Sequence, residues 1–262
     1  MLDRPDLVYR YDGSFDGLLT CVFECFAAKE RPGYIVGPEV AQATLFQERN
    51  IATDPIRAER VRAGITRRIS AEALGFVLNA FRTCLPEREL SILDFLRLGF
   101  RVGPRVMERF SEPNLNQLYH AVTALKGEAH LLTGLIRFSD HNGALTAIID
   151  PKNDVLPLIM PHFLARYPGE TFLIFDRTHR RALYGHGGRG RIVPMEDLLP
   201  PEVTEAEHMY RSMWQRYYDT AAIKGRENPV CRRSHMPKRF WGNLTEFQGR
   251  PEAVPARLAG GR

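Results

Sequence analysis

Apolar residues in this chain recur at two different spacings, and the change between them marks its organisation. Leu7–Tyr11 alternates as a short strand and runs into Asp12-Gly13, a turn. Ser14 then stands where it can cap a helix, with Phe15, Leu18, Leu19, Val22, Phe23 and Phe26 at i, i+3, i+4 spacing. Arg31-Pro32-Gly33 ends that element, and Tyr34–Gln47 holds at most a short strand. From Asp54 to Leu98 the period is helical with interruptions. Asp54-Pro55 opens one helix, and Ser70 caps a second that carries Ala73, Leu74, Val77, Leu78 and Phe81 on one side. Pro86 breaks it and Glu89 begins a third. Beyond Pro113, Asn114 caps a long helix whose Leu115, Leu118, Val122, Leu125, Ala129 and Leu132 share a face, with Gln117 as its capping-box partner.

Between His130 and Gly185 the spacing turns strand-like. Two apolar runs, Leu131–Phe138 and Ala144–Ile149, flank Asn142-Gly143, a dipeptide that tolerates the positive φ of a tight hairpin. A helix-like segment follows, then Thr171–Asp176 and Arg181–Tyr184 joined by a short polar turn. This β-β-α-β-β order predicts an α+β fold: a central antiparallel sheet with a helix on one face, surrounded by N- and C-terminal helices. Gly185–Arg191 reads as a mobile basic loop. Thr204 with Glu207 opens a helix through Tyr210, Met213, Trp214, Tyr217 and Ala221. Residues 1–247 read as one domain with no dividing linker, and residues 248–262, rich in Gly, Pro, Ala and Arg, as a disordered tail.

Charge narrows the choice of partner. Lys and Arg outnumber Asp and Glu by 36 to 31, and the net charge of +5 permits a polyanion. The excess is clustered around Arg57–Arg68, around Arg177–Arg191, and from Lys224 to Arg239, where Phe240-Trp241 follows directly. Phosphate backbones are held by such point charges and forked donors, and an aromatic ring beside them can stack on a base. A polyphosphate strand is therefore one candidate partner, with Arg137, Arg177, Arg189, Arg191, Lys238, Arg239 and Trp241 as the expected contacts. The competing reading makes these arginines solvated faces and Trp241 a core anchor. No apolar run reaches the ~18 residues of a membrane helix, and Met1–Asp6 is too polar for a signal peptide. With four scattered cysteines suited to reduced thiols, a cytoplasmic location is expected and no membrane partner.

Catalytic signatures are sparse. An aspartate such as Asp12 or Asp150 can activate water, with His130 as a nearby donor or base, which would suit a hydrolase or glycosylase acting on a flipped base. Asp12, Asp140, Asp150 and Asp176 each fall where a strand meets a turn, a position that equally suits turn capping. Glu128 and His130 lie two apart on a helix and point to different sides. Cys21 and Cys25 have the first gap of the radical-SAM cluster motif, but the third cysteine is missing. Neither HExxH nor a P-loop order occurs, so no cofactor and no metal are expected.

Three blocks carry a resemblance: Tyr11–Glu24 (YDGSFDGLLTCVFE), Glu128–Phe138 (EAHLLTGLIRF), and Asn228-Pro229 with Met236–Trp241 (MPKRFW). Together with Asn153–Phe163, they resemble a bacterial domain-of-unknown-function family named for a role in DNA metabolism. The resemblance runs from Tyr11 to about Leu244. It implies a protein that accompanies a separate radical-SAM protein of DNA modification or repair, in a family whose relatives are sometimes fused ahead of a uracil-DNA glycosylase domain. It supplies no catalytic residues. The expectation is a DNA-binding accessory protein that assists the radical-SAM partner. The alternatives are a stand-alone enzyme on damaged bases, and an adaptor that binds the radical-SAM partner without touching DNA.

Overall fold

A computed structural model describes residues 6–38, 46–141, 143–198 and 204–249, apart from the side chains of Asn114 and Lys224. The chain divides into two compact units, residues 1–125 and 126–262. Among the described residues, no helix is long and apolar enough to cross a membrane.

The first unit opens with β1 (Leu7–Arg10), α1 (Phe15–Ala27), β2 (Tyr34–Val36) and β3 (Gln47–Asn50). These strands form a parallel sheet in the order β2-β1-β3. Three helices follow: α2 (Pro55–Arg68), α3 (Ala71–Phe81) and α4 (Arg88–Val102). Their starts are where the capping residues put them. Ser14 accepts from the Gly17 amide, Asp54 from the amides of Ile56 and Arg57, and Ser70 from the amide of Ala73. One apolar core draws on Tyr9 and Ile35 from the sheet, Leu18, Val22 and Cys25 from α1, Ile65 from α2, Val77 from α3 and Phe95 from α4. Several arginines of this unit are occupied. Arg57 and Arg49 both pair with Glu24, and Arg62 pairs with Asp16 and Glu59. Cys21 and Cys25 lie in this core, and burial pushes both thiols up, Cys25 to about 12, so neither is poised as a thiolate.

Helix α5 (Pro113–Leu135) starts one residue before the expected cap, with proline at its first position. It also absorbs the run at Leu131, which therefore ends a helix instead of forming a strand. The apolar face through Leu125, Ala129 and Leu132 simply continues. The second unit then adds β4 (Ser139–His141), β5 (Ala144–Ile149), α6 (Leu156–Arg166), β6 (Thr171–Asp176), β7 (Arg181–His186) and β8 (Arg189–Pro194). Gly143, at φ 87°, holds the expected turn, while Asn142 lies outside the described residues.

The sheet is five-stranded, in the order β4-β5-β6-β7-β8, and mixed. The expected all-antiparallel sheet is corrected at its centre, where β5 and β6 run parallel. The reason is α6: an 11-residue helix returns the chain to the end from which β5 set out, so β6 must enter in the same direction. The basic stretch expected as a mobile loop is instead a hairpin. Gly187 and Gly188, at φ 56° and 71°, supply the two left-handed residues that a tight turn needs, and Arg189–Pro194 pairs along β7.

Alternation along the strands sorts their side chains onto two faces. One face, with Leu145, Phe172, Leu183 and Gly190, is packed by α6, where Phe138, Phe163, Tyr167 and Phe172 form an aromatic cluster. After β8 come α7 (Glu205–Ala221), capped by Thr204 as expected, α8 (Pro229–His235), and short 3-10 turns over Lys238–Asn243 and Thr245–Phe247. Residues 250–262, the greater part of the expected tail, lie outside the described residues.

Gly185 leaves room that the aromatic cluster fills. A Cβ there would stand 2.3 Å from the ring of fully buried Phe172. Gly185→Ala should therefore cost roughly 2–3 kcal/mol by overpacking. A thermal melt followed by circular dichroism checks this, and an unchanged melting temperature would contradict it.

Candidate nucleic-acid interface

The residues expected to meet DNA separate into two groups. In the first, arginines are consumed by carboxylates. Glu246 is 1% exposed and takes hydrogen bonds from Arg137 Nη2 (2.8 Å) and Nε (3.2 Å) and from Trp214 Nε1 (3.0 Å). Glu128, also buried, accepts from the amides of Lys152 (2.9 Å) and Asn153 (3.0 Å) and pairs with Arg239 Nη2 at 3.0 Å. Arg177 grips Asp150 with two parallel bonds of 2.7 Å, and Asn243 adds a third at 2.7 Å. Burial alone would raise the carboxyls of Glu246 and Asp150. The arginine and amide bonds outweigh it and hold both below the usual carboxylate range.

Trp241 belongs with this group. Its indole is 1% exposed, stacks on Phe247 at 4.2 Å and donates to the Met236 carbonyl, so it anchors the arm and offers no ring to a base. Arg137, Arg177, Arg239 and Trp241 thus fasten the segment Met236–Phe247 onto the unit.

The second group is open. Arg189, Arg191 and Lys238 are exposed and have no carboxylate partner among the described residues. Lys238 lies over the edge of the arm, its Nζ 5.5 Å from the Trp241 ring. Arg189 and Arg191 point from the edge strand β8 onto the sheet face opposite α6. Register shows what shares that face. One cross-strand row runs Ser139, Thr146, Leu173, Tyr184, Arg191, with the Arg191 guanidinium 5.6 Å from the Tyr184 ring. The next row holds His141, Ala144, Thr171, His186 and Arg189, with Thr171 Oγ1 2.8 Å from His186 Nδ1. A third row, with Phe175 and Ala182, is buried. Neither open row contains a carboxylate. Where α7 meets the first row, Arg211 donates to Ser139 Oγ (2.6 Å) and is itself paired with Glu207. The face therefore offers cations, hydroxyls, an imidazole and a half-buried phenol, the groups that suit phosphates and bases. Sequence reasoning overlooked Tyr184 and His186. The signal was there: a two-residue step in Ala182-Tyr184-His186 and in Arg189-Arg191 puts all of them on one side.

Each catalytic candidate is held in a turn or an ion pair, or stands in solvent. In the first unit, Asp12 accepts from the Ser14 amide and hydroxyl and from Thr53 Oγ1 (2.7 Å). Burial would raise its carboxyl, but these bonds keep it low, as suits a turn cap. In the second unit, both oxygens of Asp150 are taken, and His130 is exposed on α5. Asp140 and Asp176 also cap turns, accepting from the amides of Gly143 (2.7 Å) and His179 (3.1 Å). Cys84 and Cys231 are exposed.

Comparison with known proteins agrees with part of the resemblance. A family model described as a domain of unknown function, DUF4130, matches residues 86–246, and the chain belongs to that family. No curated protein matches it.

The clamped carboxylates give the second unit a defined acid response. Because the Glu246 pKa is depressed in the folded chain, its contribution is complete above the unfolded value of ~4.3 and is lost as pH falls through the lower, folded value. Both tryptophans, Trp214 and Trp241, sit in this region. Their emission should shift to the red as pH drops below about 4. Glu246→Gln should melt earlier at pH 7 and lose less on acidification. Emission that stays constant to pH ~3 would contradict the assignment.

Proposed function

We propose that this DUF4130 protein is a nucleic-acid-binding accessory factor of DNA metabolism, and that its binding surface is the open face of the five-stranded sheet. The observation that carries the reading is the pair of open rows, where Arg189 and Arg191 stand without carboxylate partners among the described residues and neither row contains an acidic side chain. Other arginines first assigned to phosphate are already neutralised within the fold. The resemblance supports a radical-SAM protein of DNA modification or repair as the partner this factor assists, and the scattered cysteines suit a cytoplasmic setting. An independent enzymatic role finds less support, since the oxygens of Asp12 and Asp150 are engaged in turns and ion pairs.

A second reading, the adaptor that never touches DNA, has one observation in its favour. Helix α7 turns Glu207, Arg211 and Gln215 inward but leaves Met209 (56% exposed), Tyr210 (60%), Met213 (57%) and Tyr217 (61%) in solvent. Such a stripe suits a protein partner.

Binding of a labelled oligonucleotide by anisotropy separates the two. The first reading expects affinity that falls steeply with salt. Replacing Arg189 and Arg191 together with alanine should weaken binding by about tenfold or more and reduce the salt slope by roughly 2. Unchanged affinity in that variant, or none in the wild type at low salt, would reject the reading.

A further inference from the structure

The sheet face has a shape as well as a charge, and the shape selects among nucleic acids. Five strands at ~4.8 Å spacing span roughly 19 Å. The major groove of duplex DNA, ~12 Å wide, admits a helix or a two-stranded ribbon but not a surface of that breadth. Laid on this face, a duplex could offer only its phosphates. Yet the face presents more than phosphate ligands. Tyr184 has an Arg191 guanidinium beside its ring, and His186 follows two residues later on the same side with Arg189 as its cross-strand neighbour. Tyr184 thus has a cation over its ring, and His186 has one at the cross-strand position. The two positions are ~6.8 Å apart along the strand, twice the ~3.4 Å between stacked bases in a duplex. Bases can occupy both only when they are unstacked from each other. Half-buried Leu173 gives the neighbouring position an apolar floor.

On the reading that this face binds nucleic acid, we infer that its ligand is single-stranded: successive unstacked bases lie against Tyr184 and His186 while Arg191 and Arg189 hold the backbone between them. The selectivity proposed is for strand state, because every base has a flat face to lay against a ring.

The test uses the full chain, a labelled 20-nucleotide thymidine oligomer and a 20-base-pair duplex, compared by anisotropy at one salt concentration. The single strand should bind about tenfold tighter or more. Tyr184→Ala should weaken single-strand binding by roughly tenfold without changing its salt slope, whereas Tyr184→Phe should retain it. Circular dichroism melts would confirm that both variants are folded. Equal or tighter duplex binding, or full single-strand affinity in Tyr184→Ala, overturns the strand selectivity but leaves nucleic-acid binding standing. No binding of either form overturns both.

Discussion

A carboxylate carried into an apolar interior must be met by a cation or give up its charge, and much of this protein follows from that requirement. Glu246 and Glu128 are nearly inaccessible, and each is answered by an arginine that sequence alone would have assigned to solvent or phosphate. Removing either arginine would strand a buried charge, a far larger penalty than losing an exposed ion pair. The arm Met236–Phe247 is therefore fastened by paired charges around the stacked rings of Trp241 and Phe247. Among the residues first assigned to phosphate, the cations without a carboxylate partner among the described residues are Arg189 and Arg191 on β8, and Lys238.

The first unit meets the same requirement with residues of the N-terminal block. Glu24 lies between Arg49 and Arg57, and Asp12 ties the end of β1 to Ser14 and to Thr53 beyond β3. Gly17 belongs to that arrangement, since a Cβ there would lie 2.2 Å from Asp12 Oδ1. The polar residues of this block thus organise a turn and a helix start.

Legibility followed the range of the interactions. Helix starts were readable because a cap acts within three residues: Ser14, Asp54, Ser70 and Thr204 all behave as their neighbours dictate. Strand β3, Gln-Glu-Arg-Asn, was not readable. It has no apolar alternation and exists through pairing with β1 some forty residues away. Nor could pattern decide between a parallel and an antiparallel β5–β6 pair, because Ala144–Ile149 and Thr171–Asp176 look the same in either arrangement. The interface was half visible. The arginines could be counted, but the bond from Arg137 to Glu246 spans 109 positions, and nothing local distinguishes Arg137 from Arg189, which has no carboxylate partner among the described residues. Trp241, set among basic residues, reads equally well as a platform for bases or as a core anchor, and only burial chooses.

After the hairpin turn at Gly187-Gly188, β8 is the last strand of its sheet, with one side of its backbone paired to no other strand among the described residues. Such a border is a template on which a neighbouring molecule can add its own strand and begin an aggregate. Here it carries Arg189, Arg191 and Pro194 along six residues. Like charges repel an incoming copy, and proline withholds an amide at the end. On the proposed reading, protection of this border and ligand capture fall to the same short segment, so mutations that silence one would also expose the other.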